Sequence, residues 1–235
     1  YSGDGITFPD NTVQATAPKV GMVNRIINGG MVFDQRNAGA AVTPTYNSYG
    51  LDRWSFPVST SGKLTAQQSS TAPAGFTNSM LITSSSSYAV GVSDYFGVQQ
   101  KIEGYNIADL AWGTSNAATV TLSFWVRSSL TGTFGGVIVN YNGSRNYPFT
   151  YTIAVANTWA KASVTIAGDV LADWLTSNGV GINVMFGLGA GANWNGTAGV
   201  WTGTQAFSAA GATSVVGTNG ATFYVTGVQL EKGST

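Results

Sequence analysis

One short segment does most to limit what this chain can fold into. From Ala118 to Ser129 the sequence reads Ala-Thr-Val-Thr-Leu-Ser-Phe-Trp-Val-Arg-Ser-Ser. Val120, Leu122, Phe124 and Val126 alternate with Thr121, Ser123, Trp125 and Arg127. A period of two puts one set against a core and the other outward on a β-strand, whereas a helix would scatter both sets round its circumference. Ala221 to Glu231 repeats the pattern near the end of the chain. Two such strands so far apart predict a sandwich whose late strands close over its early ones.

The intervening sequence supports an all-β reading. Short extended runs at 79–83, 90–102, 137–141, 149–155, 160–166 and 180–188 are separated by clusters of Gly, Ser, Asn and Pro such as Asn28-Gly29-Gly30, Ser59 to Gly62 and Pro73-Ala74-Gly75. Frequent turn signals between short strands indicate a sandwich or barrel rather than alternating strands and helices. Two helical turns are expected, at Asn106–Trp112 and at Asp169–Leu175. In the second, Asp169 would cap a face made by Val170, Leu171, Trp174 and Leu175. The Gly-, Ala- and Ser-rich region 187–220 carries Trp194, Trp201 and Phe207, which argues for long ordered loops. Residues 1–20 stand apart as an N-terminal segment that either packs on the main domain or is completed by neighbouring chains. Two short runs flank Pro9-Asp10-Asn11, a hairpin too small to be stable alone. The main domain is expected at 21–235, and both ends read as cuts within a longer protein.

Composition narrows function by exclusion. Ten basic and ten acidic residues cancel, and only 9% of the chain is charged. No basic patch is present to neutralise phosphates, so nucleic acid is not an expected partner. The absence of His and Cys removes disulfides, thiolate nucleophiles, Cys/His zinc sites and every His-based triad. The apolar run Val180–Ala192 is interrupted by Gly and Asn and is too short to span a bilayer, so no membrane insertion is expected.

Several segments taken in order resemble the carbohydrate-binding-module-like jelly roll of bacteriophage tail-fibre and related virion proteins. They are Ile27-Asn28-Gly29-Gly30-Met31 with Gln35-Arg36, Leu51-Asp52-Arg53-Trp54, Gln100-Lys101-Ile102-Glu103-Gly104, Leu122 to Ser129, Asn157-Thr158-Trp159 and Tyr224 to Gly233. Residues 5–17 are similar to the short strand segments that precede such heads in phage fibres. The resemblance implies a jelly-roll β-sandwich preceded by a β-hairpin stalk, a homotrimer joined through that stalk, other virion proteins as partners, and an extracellular virion location on tail or capsid. Sugar-binding modules of this type often carry a structural calcium near the strand after the Asn-Gly-Gly turn. Met31 and Val32 occupy that stretch here, where the resemblance implies an acidic residue.

Candidate chemistry follows from the side chains available. A glycosidase needs two carboxyl groups flanking the scissile bond, but the acids are scattered, and no enzymatic activity is expected. Any metal must use oxygen ligands, hence Ca²⁺, with Asn28, Asp52 and Glu231 as candidates. The competing reading makes Asn28 a turn residue and pairs the acids with Arg36, Arg53 or Lys232. Aromatics beside amides suit a sugar, whose C–H face packs on a flat ring while amides bond its hydroxyls. Trp194, Trp201 and Asn193 in one loop, and Tyr141, Arg145 and Tyr147 in another, form the candidate glycan contacts. The alternatives are packing beneath the loop for Trp201 and subunit contacts for the tyrosines and Trp194. Trp125 and Arg127 suggest a cation–π stack or sheet-face packing, and Trp54, Trp112, Trp159 and Trp174 suggest core. The expected function is attachment to a bacterial surface polysaccharide. The alternatives are a structural head-decoration or adaptor fibre and, third, a depolymerase.

Overall fold

A computed structural model describes residues 6–7, 9–10, 13–14, 23–171 and 173–234. β1 (Ile6–Thr7) and β2 (Val13–Gln14) pair antiparallel, Ile6 opposite Gln14 and Thr7 opposite Val13. Apart from Pro9 and Asp10, the remainder of the proposed stalk, and with it the expected trimer contact, lies outside the described residues. Along the main domain follow β3 (Ser48–Tyr49), β4 (Trp54–Phe56), β5 (Leu64–Ser69), β6 (Ser79–Ser84), β7 (Tyr95–Glu103), β8 (Val120–Ser128), β9 (Gly132–Asn140), β10 (Asn146–Ile153), β11 (Ala160–Ile166), β12 (Val180–Ala190), β13 (Asn195–Gly196), β14 (Ser208–Ala209) and β15 (Thr222–Lys232). They form a jelly-roll sandwich. One sheet runs β10-β9-β12-β7-β4-β3 and the other β11-β8-β15-β6-β5. β13 and β14 make a separate short parallel pair.

Alternation dictates the core. Val120, Leu122, Phe124 and Val126 of β8 are all fully buried and face Phe96 and Val98 of β7, Ile182, Val184 and Phe186 of β12, and Phe149 of β10 in one continuous apolar cluster. Phe124 lies edge-on to Phe186 at 4.9 Å and to Tyr151 at 5.0 Å. Each such ring contributes about 1.5–3 kcal/mol by leaving water. β15 does not close over β8 but pairs antiparallel beside it in the same sheet, with a bulge between Thr226 and Gln229. Gly227 sits there at φ 61, where a Cβ would stand 2.5 Å from the Phe76 ring. A glycine in the left-handed region is the usual means of adding one residue to a strand without breaking its ladder.

The segment before β3 crosses one end of the sandwich and is held by side chains. Gln100 Oε1 accepts from the Ile27 N–H at 2.7 Å, and its Nε2 donates to the Ile27 carbonyl at 2.8 Å. Gly29 packs so tightly on β15 that a Cβ would meet the Val228 carbonyl oxygen at 2.2 Å.

Several local expectations are corrected. No helix forms around Asp169 among the described residues: its carboxylate accepts from the Leu171 N–H at 3.3 Å, as a cap would, but it is also held by Arg145 and Trp174 and no helical turn follows. Asn106–Trp112 contains one 3-10 turn, Ala108–Leu110, and a second, Gly104–Asn106, precedes it. Arg53 pairs with Glu103 at 2.6 Å, not with its neighbour Asp52. Trp54, Trp112 and Trp174 are buried as expected, but Trp159 is half-exposed beside Tyr224 on the outer face of the five-stranded sheet. Arg127 forms the expected cation–π stack, on Tyr224 at 5.1 Å rather than on Trp125.

One core hydroxyl is out of place. Tyr151 Oη is buried among phenylalanines and finds no hydrogen-bond partner among the described residues. Burial alone pushes its phenol far above the ordinary tyrosine range. Tyr151→Phe removes an unsatisfied polar atom without changing the ring. It is expected to stabilise the fold by about 1–3 kcal/mol, raising Tm by roughly 2–4 °C for each kcal/mol. Thermal unfolding followed by circular dichroism checks this, and a lower Tm would show that the hydroxyl has a partner.

Candidate functional site

The outward residues of the six-stranded sheet build a floor in cross-strand rows. Val139 of β9, Asn183 of β12 and Lys101 of β7 stand side by side in one row. Val137, Met185, Gln99 and Ser55 make the next. Part of this face is covered. Ala206 and Phe207 pack on Val137, Val139 and Met185, which buries both faces of β9 and explains its nearly unbroken apolar run. The covering strand fits because the sheet is notched by glycines. A Cβ on Gly135 or Gly187 would stand 2.5 or 2.6 Å from Ser208 Oγ.

What stays open is a groove of about 200 Å³. That is below the usual range of roughly 300–1,000 Å³ for pockets that engulf a small molecule, so it suits surface contact along a chain. Gln99, Lys101, Asn183 and Met185 form its floor, Tyr46 and Asn47 stand on one wall, Tyr141 and Asn142 on the other, and Gln205 to Phe207 close it. Tyr46 is 65% exposed and Tyr141 42%, so both rings are available.

Each wall has a local cause. Asn47 adopts φ 56, and its Oδ1 accepts from Gln99 Nε2 at 3.2 Å, which ties the turn carrying Tyr46 to the floor. On the other side Asn140 is buried and organises the turn from beneath. Its Oδ1 accepts from the Arg145 N–H at 3.1 Å and its Nδ2 donates to Ser144 Oγ at 3.0 Å. Asn142 Oδ1 accepts from the Ser144 N–H at 3.0 Å, and Tyr141 is left projecting. Tyr95 stacks on Phe207 at 4.1 Å, and Trp194 stands edge-on to both, so an aromatic arc continues from the groove. Trp194 Nε1 donates to the Ser93 carbonyl at 2.7 Å, and Asn193 Nδ2 donates to Ser93 Oγ at 3.0 Å. The supporting loop is fixed by Asp94. Burial would raise that carboxyl, but donation by the Gly91 N–H, the Tyr88 hydroxyl and the Ser59 hydroxyl outweighs it and holds Asp94 below the ordinary range.

The groove's most telling atom is Asn183 Oδ1, which is buried in the floor and accepts no hydrogen bond among the described residues.

The candidate glycan contacts read from the sequence therefore separate. Tyr141 lines the groove, and Trp194 and Asn193 lie beside its closed end. Trp201, Tyr147 and Arg145 belong to a different cluster. Trp201 packs edge-on against Trp112 at 5.4 Å and Trp174 at 5.5 Å, and Tyr147 lies 5.2 Å from it. Arg145 Nε and Nη2 each donate to Asp169 at 2.7 Å, and these hydrogen bonds raise its pKa further. Tyr46, Gln99, Lys101, Asn183 and Gln205 escaped the sequence reading. The alternation of β7 and β12 marks Gln99, Lys101 and Asn183 as outward, yet nothing local says that two outward rows share a groove.

Of the residues proposed for calcium, Asn28 and Asp52 have protein partners. Asn28 Oδ1 accepts from the Phe33 N–H, and its Nδ2 donates to the Phe33 and Asp52 carbonyls, so it closes its own turn. Asp52 Oδ2 accepts from the Gln35 N–H, while Glu231 stands in β15 opposite Thr121. Among the described residues no group of three or more acidic side chains is placed to hold a metal. No described helix is long and apolar enough to cross a membrane.

No protein-family model and no curated protein matches the sequence. Among solved structures, the chain is similar to the tailspike protein 4 enzymatically active domain of bacteriophage CBA120 at 12% identity and TM-score 0.48. It is similar to TmCBM61 in complex with β-1,4-galactotriose at 10% identity and TM-score 0.42, covering 89% of this chain and 99% of that one. A third is the C-terminal family 22 carbohydrate-binding module of Clostridium thermocellum Xyn10B, at 13% identity and TM-score 0.43, covering 86% and 98%. The match to the tailspike domain covers 89% of this chain but only 21% of that chain's length.

Proposed function

We propose that this domain binds a glycan, without cleaving it, in the groove on the outer face of the six-stranded sheet. The observation that carries the reading is Asn183 Oδ1, a buried acceptor without a donor, on a floor between two exposed tyrosines. Leaving such an atom unpaired costs about 1–3 kcal/mol. A sugar hydroxyl supplies the missing donor while its ring packs on Tyr46 or Tyr141. Binding without hydrolysis is supported by the lining, which holds amides, tyrosines and one lysine but no carboxylate pair. The ordered segments resembling phage fibre heads extend the proposal to a trimeric virion attachment protein, with three grooves acting together on a bacterial polysaccharide.

Asn183→Val tests the carrying observation, because it moves stability and binding in opposite directions. Removing an unsatisfied acceptor from a strand is expected to leave Tm unchanged or higher, while affinity for a glycan found on a bacterial polysaccharide array falls about tenfold, near 1.4 kcal/mol. Unchanged affinity would remove the groove floor from the account. Wild-type protein that binds no glycan on the array would return the chain to a purely structural role. Light scattering tests the assembly by asking whether the particle mass is three times that of the 24.3 kDa chain.

A further inference from the structure

The groove lining contains one charged side chain, Lys101, and its ammonium makes no ion pair, hydrogen bond or ring contact with any described residue. This sets it apart. Among the described residues every other basic side chain except Lys161 is held by a carboxylate or lies over an aromatic ring. Lys161 is exposed on the opposite sheet, where water solvates it. Lys101 is half-buried.

Its neighbours do not neutralise it. Lys101 also borders a smaller pocket of about 190 Å³ lined by Arg53 and Glu103. Those two are paired to each other at 2.6 Å, and Glu103 is further bonded to Asn106. Burial pushes the Glu103 carboxyl up, but the Arg53 hydrogen bond, with smaller help from its own backbone N–H and Asn106, brings it below the usual range. The pair cancels, and one positive charge is left on a floor otherwise made of amides and apolar groups.

A partly desolvated cation without a counter-ion is disfavoured in the free protein. A neutral sugar would draw only hydrogen bonds from it, which the amides of Gln99, Asn183 and Gln205 can also supply, so a net charge is needed only for an anionic ligand. We propose that the glycan is anionic, with a negatively charged group on a sugar ring meeting Lys101 beside Asn183. This inference rests on the groove being a glycan site. A carboxylate and a sulfate ester share the required chemistry, because lysine binds each as a point charge.

Paired polymers decide it. A uronate polysaccharide and its carboxyl-reduced counterpart, and a sulfated polysaccharide and its desulfated counterpart, are bound to sensors and titrated with the full chain. The wild type is expected to prefer the anionic member of one pair by about tenfold, with the preference shrinking as salt is raised; the pair that shows it identifies the charged group. Lys101→Gln is expected to bring affinity for the anionic member down to that for the neutral one at unchanged Tm, and Lys161→Gln to leave the preference intact. Equal binding to both members of each pair would overturn the anionic assignment while leaving glycan binding in place. Preference retained by Lys101→Gln would also overturn it. Binding to no glycan at all, here and on the array, would remove the proposed function itself.

Discussion

Asp169→Ala is expected to destabilise the domain by about 3–5 kcal/mol, lowering Tm by roughly 6–20 °C. The Asp169 side chain is 2% exposed and that of Arg145 14%, and two hydrogen bonds of 2.7 Å join them in parallel. Trp174 Nε1 donates to the same carboxylate at 3.2 Å. Truncation strands a buried guanidinium and an indole N–H at once, and it loosens the Trp112–Trp174–Trp201 cluster that packs around them. The companion variant is Asp169→Leu with Arg145→Met. Replacing both charges with apolar groups of similar size is expected to recover most of the loss, because the cost comes from an uncompensated charge rather than from missing attraction. Thermal unfolding of the two variants checks both statements. A double variant at least as unstable as Asp169→Ala would show that this site depends on polar geometry for which no apolar packing substitutes.

The second large effect concerns binding. Tyr46→Ala and Tyr141→Ala are each expected to weaken glycan affinity by about 2 kcal/mol, roughly thirtyfold, as truncation of an aromatic anchor commonly does. They stand on opposite walls, and the double variant is expected to approach a thousandfold loss if their contributions add. Neither change should move Tm appreciably, since both rings are exposed. Trp194→Ala should act less strongly and through Phe207, because the indole stands behind that ring with its N–H already bonded to Ser93. Calorimetric titration with a glycan chosen from the array measures all three. Full affinity in the folded double variant would move the site off this sheet, toward the Trp159 and Tyr224 face of the other.

These two predictions involve residues of unequal legibility. Tyr141 was readable as a ligand candidate because it sits among Asn, Gly and Ser in a turn, and the turn is built by Asn140 and Asn142, its immediate neighbours. Tyr46 has equivalent neighbours but is placed by Gln99, more than fifty positions along the chain. Arg145 and Trp201 resembled glycan contacts by composition alone. Their partners, Asp169 and Ala167, lie tens of positions away and are brought near only when the strands close.

Local sequence alone determined the fold class of this protein. The two-residue rhythm of β8, β12 and β15 selects strands and assigns their inward faces, since a one-residue slip would turn every apolar side chain to water. Turn-forming glycines and asparagines mark where those strands stop. Only the tertiary structure decided which outward rows remain open. The segment crossing at Ser208 covers part of the six-stranded sheet and leaves the rest as a groove, which fits because glycines far apart in the chain form one notch. Among the described residues, burial of Asn183 Oδ1 without a donor, and partial burial of Lys101 without an anion, likewise arise from cross-strand neighbours, because pairing and solvent access are properties of assembled sheets that no single strand encodes.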